Sequence, residues 1–297
     1  MKVKRIFAIF LFLALLASCA RNEAPAEERE GFVYIRGGSF FMGSNDALDW
    51  RAQPRHRVTL QGFYIARHLV TQEQWTEVMG ANPSWFHGRG SKEPAPGESQ
   101  GRRPVEMVSW YDVIVFCNRL SLLRGLTPVY SIEGSTNPDD WIANAGGAVP
   151  TIRNAAWDNV AADWSANGYR LPTEAEWEFA CRAGTATAYN TGNVISDNTG
   201  WYMGNSGGRT REVGLKPANA WGLYDMHGNV WEWVWDWFGE YNAGAKQNPR
   251  GPDSGDYRVF RGGAWGSNVT NLRSAIRGSV GPWVTYNFVG FRLVRSE

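Results

Sequence analysis

Between Gly222 and Trp237 the chain reads GLYDMHGNVWEWVWDW. Tryptophans stand at 231, 233, 235 and 237, every second position. A period of two is the period of an extended strand, and it puts all four rings on one face. Rings of that size need a deep core, so this strand belongs at the centre of a domain rather than at its edge. Just before it lies a Gly-Asn turn flanked by Asp225 and Glu232. Hard carboxylate oxygens at that spacing can hold a calcium ion, with turn carbonyls completing the shell. A solvated turn ahead of a core strand is the plainer alternative.

The remaining punctuation is that of a loop-rich domain with short strands. The chain has 16 Trp and 34 Gly among 297 residues, which favours aromatic packing joined by many turns. Gly31–Met42 is strand-like with a break at Gly37-Gly38, and His56–Ile65 alternates as one strand with Gly62 as a bulge. Thr71-Gln72-Glu73-Gln74 and Thr173-Glu174-Ala175-Glu176 are capping boxes. They open helices that Gly80 and Gly184 close. Ser109 caps a further helix that carries Val113, Phe116, Cys117 and Leu120 on one face and stops at Gly125. Residues 126–168 read as an insertion of short strands and turns, polar apart from Trp141, Trp157 and Trp164. Residues 289–294 form a last strand. One domain over 31–297 accounts for these elements.

The first residues read as an address. Lys2, Lys4 and Arg5 precede the apolar run Ile6–Ala17, which is short for a membrane span. It ends in Leu16-Ala17-Ser18-Cys19, which resembles a bacterial lipobox. Residues 1–19 are therefore expected to be a lipoprotein signal peptide, with Cys19 lipidated. Residues 20–30 follow as a polar tether. A lipid anchor implies a membrane-attached protein, expected at the outer membrane and cell surface of a bacterium. The net charge of +1 leaves no nucleic-acid footprint. The other two cysteines, Cys117 and Cys181, can form one disulfide. Their place among apolar helix residues favours free buried thiols.

Six stretches in one order carry a resemblance. They are Gly37-Gly38-Ser39-Phe40 through Ser44, Pro104-Val105 through Trp110, Tyr169–Glu178, Gly222–Trp233, Arg261-Gly262-Gly263-Ala264-Trp265, and Gly290-Phe291-Arg292. Together they resemble the formylglycine-generating-enzyme (sulfatase-modifying factor) family over about residues 31–297. The resemblance implies an α+β, C-type-lectin-like fold of short twisted sheets, few helices and much irregular backbone. It also implies one structural Ca2+ held by Asp225, the carbonyls of Gly228 and Val230, and Glu232. A second family metal site fits poorly. Asn198 matches one ligand, but Arg209 stands where an aspartate belongs, and a guanidinium repels a cation. The family's enzymes oxidise a sulfatase cysteine with oxygen and copper held by two thiolates, a soft donor set. Those two positions are Ser267 and about Leu272 here, and no cysteine follows Cys181. Neither copper nor family catalysis is expected. Cys117 and Cys181 match positions that bridge, in the family, to partners which are Leu293 and Ile276 here.

The segment Gly266–Phe288, within a candidate variable region of about 264–288, resembles the region that retroelements diversify by mutating template adenines. Codons of that origin cannot encode Lys, Glu, Gln, Met or Trp, and Trp283 is the only such residue in the segment. Leu272, Ala275 and Ile276 are expected to point inward. Gly266, Ser267, Asn268, Thr270, Asn271, Gly278, Ser279, Val284, Thr285, Tyr286 and Asn287 are expected to face outward as the ligand-binding surface. Tyr, Ser, Asn and Gly are also the residues that antibody paratopes favour. The function implied is a surface lipoprotein that binds an unknown protein or surface ligand on a catalytically dead scaffold. Two alternatives remain open. An enzyme of altered chemistry needs an acid or base near 267–287, where Arg273 and Arg277 stand alone. A calcium-dependent sugar lectin needs a Glu-Pro-Asn or Gln-Pro-Asp triplet, which the chain lacks.

Overall fold

The computed structural model describes residues 31–297. The stretches expected to be a signal peptide ending in the Cys19 lipobox, over 1–19, and a tether, over 20–30, lie outside the described residues. In chain order the elements begin with β1 (Phe32–Ile35), β2 (Gly38–Met42), β3 (His56–Leu60), β4 (Phe63–Ala66), α1 (Gln72–Met79) and α2 (Trp110–Leu123). Next come β5 (Tyr130–Ser131), α3 (Pro138–Asn144), α4 (Ala155–Asp158), β6 (Ala161–Ala162), β7 (Tyr169–Arg170) and α5 (Glu174–Arg182). The C-terminal third holds β8 (Trp231–Trp237), β9 (Lys246–Gln247), β10 (Arg258–Arg261), β11 (Arg277–Val280), β12 (Val289–Phe291) and β13 (Val294–Ser296).

The strands form small sheets: β1-β4-β13-β7, β11-β10-β8-β12, β2-β3-β9 and β5-β6. The Trp strand β8 is central in its sheet, antiparallel to β10 and parallel to β12. Trp231, Trp233 and Trp235 pack into one apolar cluster with α2, while Val234, from the opposite face, enters a second cluster with α5. Burial on both faces is why the charged residues of β8 need partners, since an unpaired buried charge is costly. Trp235 stacks on Tyr130 with 5.3 Å between centroids, and Trp233 and Trp110 each donate an indole N–H to a backbone carbonyl. At the far end of the strand Trp237 shares the Arg258 guanidinium with Trp110 and Trp235.

The helix boundaries follow their caps. The capping boxes at Thr71–Gln74 and Thr173–Glu176 both form, and Ser109 makes a third with Asp112. Gly80 ends α1 in the left-handed conformation. The expected strand 56–65 is instead two strands. The chain breaks at Gln61-Gly62 and passes from the β2-β3-β9 sheet to the β1-β4-β13-β7 sheet. The expected last strand divides in the same way at Arg292-Leu293, because β12 and β13 belong to different sheets. The insertion over 126–168 holds two short helices, α3 and α4, whose Trp141 and Trp157 are buried in the main cluster. Asn137 and Asn154 cap them, a signal that polar composition concealed. Cys117 and Cys181 are free and buried, and Leu293 packs in the same cluster as Cys117.

Candidate functional site

The segment 264–288 leaves β10, makes a 3-10 turn over Val269–Leu272, returns as β11 and ends at β12. Its inner side chains behave as expected. Leu272 and Ala275 are buried, and Ile276 packs partly buried against the main cluster. Gly266 and Asn268 are exposed, Tyr286 remains 36 % exposed, and Ser267, Thr270, Asn271, Ser279, Val284, Thr285 and Asn287 are half-buried at the surface.

Gly278 is a correction. It is buried in β11 opposite Phe260, and a Cβ there would lie 1.9 Å from the ring. It is a packing position, not an outward one, because β11 lays its backbone directly on an aromatic of β10. Ser267 and Asn268 also serve the fold. Ser267 Oγ accepts from the Ala264 N–H at 3.0 Å. Asn268 caps the 3-10 turn by accepting from the Asn271 N–H, and Thr270 Oγ1 lies 2.6 Å from its Oδ1.

The segment is gripped largely by its own carbonyl oxygens. Tyr189 Oη donates to the Val269 carbonyl at 2.8 Å, and His227 Nδ1 to that of Leu272 at 2.6 Å. Arg261 reaches the carbonyls of Ser274 and Ala275, both at 2.9 Å. The Trp265 indole donates to Asn287 O, and the Met203 and Met107 amides donate to Ser267 O and Tyr286 O. A carbonyl is the same on every residue, so these bonds leave the neighbouring side chains free to differ. None of these donors announces itself in the local sequence pattern, because each grip links positions far apart in the chain.

Beneath the segment lies a buried ionic floor. Glu174 on α5 pairs with Arg277 through both oxygens, at 2.6 and 2.8 Å, and with Arg261 at 3.2 Å. Glu178, one turn on, bonds Arg261 and Arg182. Burial alone would raise the Glu178 pKa, yet those two guanidinium groups hold it below the ordinary carboxylate range. Asp236, on β8, accepts from the Glu174 N–H; burial and the Glu174 charge push it up to about 8. Arg273 clamps the segment from outside, holding Asp49 through both oxygens and Asp46 at 2.7 Å.

His227 is fully buried, and burial lowers its pKa to about 4. Its Nε2 accepts from the Asn190 N–H at 3.1 Å, so Nδ1 carries the proton given to Leu272 O. Cys181 Sγ lies 3.7 Å from Nε2, but burial pushes that thiol up to about 12. The pair is thus a neutral packing contact and not a thiolate nucleophile. Of the two residues set against copper ligands by the resemblance, Ser267 holds a turn and Leu272 is core.

The expected metal ligands come together in part. Asp225 and Asn229 take positive φ at the turn ahead of β8. Asp225 Oδ2 accepts from the Gly214 N–H at 2.8 Å, while Oδ1 has a single 3.5 Å approach from Asn229. Burial, with a contribution from Glu232, raises Asp225 to about 6. Glu232 departs from the expectation. Arg292 takes both its oxygens, at 2.5 and 2.9 Å, and both side chains are fully buried. A guanidinium already neutralises that carboxylate and opposes a second cation beside it. Of the set that the resemblance implies, this leaves the Asp225 carboxylate and the carbonyls of Gly228 and Val230. Among the described residues no three His, Cys, Asp or Glu side chains cluster as a metal site, and no helix is long and apolar enough to cross a membrane.

The solved structure of Treponema denticola variable protein 1 is 40 % identical, with a TM-score of 0.82 over 90 % of this chain and 95 % of that one. The chaperone protein LppX of Paenibacillus barcinonensis is 33 % identical and aligns with 99 % of this chain and all of its own length. The formylglycine-generating enzyme of Mus musculus is 33 % identical over 88 % of this chain and 73 % of its own. A protein of Chlamydia caviae named serine/threonine-protein kinase pkn1 is 31 % identical over 89 % of this chain, which spans only 37 % of that relative's length. The model of the sulfatase-modifying factor enzyme 1-like domain matches residues 19–297. The α+β, C-type-lectin-like fold expected from the sequence is the fold this chain has, and the chain belongs to the sulfatase-modifying factor enzyme family.

Proposed function

We propose that this protein is a non-catalytic binding protein, anchored at a bacterial surface through lipidated Cys19, whose ligand is met by the outward residues of 266–288. The observation that carries this reading is the grip on the segment's carbonyls by Tyr189, His227 and Arg261. A loop held in that way keeps its course while its outward side chains change. The similarity to Treponema denticola variable protein 1 supports it as well. The contact set then comprises Gly266, Ser267, Asn268, Thr270, Asn271, Ser279, Val284, Thr285, Tyr286 and Asn287, with Gly278 removed. Sequencing the gene from sister isolates tests the proposal. Differences are expected to concentrate at these positions and to spare Leu272, Ala275, Arg277 and Gly278. An even spread of differences along 31–297 would contradict it.

The same reading includes a structural calcium ion at Asp225 and the carbonyls of Gly228 and Val230, with Glu232 left to Arg292. Such an ion would neutralise a buried carboxylate that no cation touches among the described residues. Chelation is expected to lower the melting temperature, and Asp225→Asn to remove that sensitivity. An unchanged melting temperature on chelation would leave the Glu232–Arg292 pair as the whole of the local electrostatics.

A further inference from the structure

Beside the segment 264–288 lies a cleft of about 290 Å3. One wall is Leu48 to Ala52, Asp49 included; the other is Asn271, Ile276, Arg277 and Gly278, with Trp231 between them. Its apolar lining is unusually open. Trp50 is 72 % exposed and Leu48 58 %, where burial would have removed such area from water.

The cleft wall also carries a cation, Arg51. Arg51 donates to Ser279 Oγ at 2.7 Å and lies over the Phe238 ring at 4.3 Å, and no carboxylate among the described residues pairs with it. The nearby acids are committed elsewhere. Both oxygens of Asp49 are held by Arg273, and both oxygens of Glu174 by Arg277. Arg277 in turn donates to the Arg51 carbonyl, and both guanidinium groups lie over the Phe238 ring. Burial first and then that neighbour lower the Arg51 pKa, and the smaller opposing pull of Glu174 does not reverse it.

We propose that this cleft receives a carboxylate side chain, flanked by an aromatic one, from a loop of a partner protein. Arg51 and Trp50 act as its anchors and Asn271 as its adjustable wall, while Ser279 Oγ accepts from Arg51 and holds it in place. The inference rests on the binding role proposed above and names the chemistry of the partner. The volume lies at the lower edge of the roughly 300–1,000 Å3 of small-molecule sites, which suits one or two inserted side chains. Trp and Arg are among the residues that dominate protein interfaces. A carboxylate would complete a charge-assisted bond at Arg51, and the aromatic would cover Trp50. Variation at 271 would then change which loop fits without rebuilding the anchor.

The test uses the soluble domain, residues 31–297, with two acetylated peptide amides, Phe-Glu-Phe and Phe-Gln-Phe, followed by NMR on the indole N–H signals. Phe-Glu-Phe is expected to shift the Trp50 signal saturably and to bind about tenfold tighter than Phe-Gln-Phe, the worth of one charge-assisted bond. Arg51→Gln should erase the difference between the peptides at unchanged melting temperature. Should that variant misfold, Trp50→Ala, at a largely exposed position, must weaken both peptides. Asn271→Asp, which adds a competing charge to the wall, should weaken Phe-Glu-Phe alone. Equal binding of the two peptides, or shifts that spare Trp50, would overturn the proposal. That failure would leave the diversification reading to the sister-gene sequences, which do not depend on this cleft.

Discussion

The two sides of the segment 264–288 are built on opposite principles. Its inner side is specified atom by atom: Leu272 and Ala275 fill the core, Arg277 pairs with Glu174, and Gly278 lies flat on Phe260. Its outer side is specified mainly by main-chain oxygens, which accept from fixed donors whatever the side chain. Identity is therefore dictated on one side and largely free on the other, although the two alternate along a single stretch of chain.

Substitutions on each side can break or sharpen this contrast. The largest effect is expected at the floor. Arg277→Ala leaves Glu174 buried with half its charge balance gone, and removing one partner of such a pair costs about 3–5 kcal/mol. Urea unfolding would read this as a large fall in midpoint. Gly278→Ala comes next. Its new methyl would meet Phe260, and the overpacking should cost about 3 kcal/mol in the same assay.

The third effect depends on pH. His227 is neutral in the fold and burial holds its pKa near 4, below its ordinary 6.5. The unfolded chain therefore takes up the proton first as pH falls. The stability that His227 contributes is complete above about pH 6.5 and drains away as pH drops toward 4. The full loss is on the order of 3 kcal/mol. His227→Gln, which can keep a donor and an acceptor but cannot titrate, should flatten the stability profile between pH 6.5 and 4.5. Parallel profiles for the two proteins would mean that the imidazole is not held neutral.

The smallest effects belong to the outer side, and they are graded. Asn268→Ala removes a cap and should cost about 1 kcal/mol. Thr285→Ala and Asn287→Ala, whose side chains make no hydrogen bond among the described residues, should each stay within about 0.5 kcal/mol. Calorimetric melting of the three variants would place them in that order.

Much of the fold was legible because its signals are local. The period-two tryptophans mark β8, and Thr71, Ser109 and Thr173 mark three helix starts through contacts within four residues. The places where the chain changes sheet, at Gln61-Gly62 and Arg292-Leu293, were illegible. Strand pairing is decided by partners far away in sequence, and alternation reads the same on either sheet. The candidate site divides similarly. Inward Leu272 and Ala275 could be told from outward Thr285 and Tyr286 by polarity alone. Gly278 could not, since the absence of a side chain gives no polarity to read. Glu232 was expected at a metal and lies on Arg292 instead. The two residues stand 60 positions apart, and no local pattern in the sequence joins them.

The central claim is that the outer side can vary while the inner side cannot. It is tested most directly by two libraries of the same domain, displayed on a cell surface and sorted by resistance to protease. One randomises Gly266, Thr270, Thr285, Tyr286 and Asn287; the other randomises Leu272, Ala275, Arg277 and Gly278. Most members of the first are expected to survive sorting, and few of the second. Equal survival of the two libraries would contradict the account.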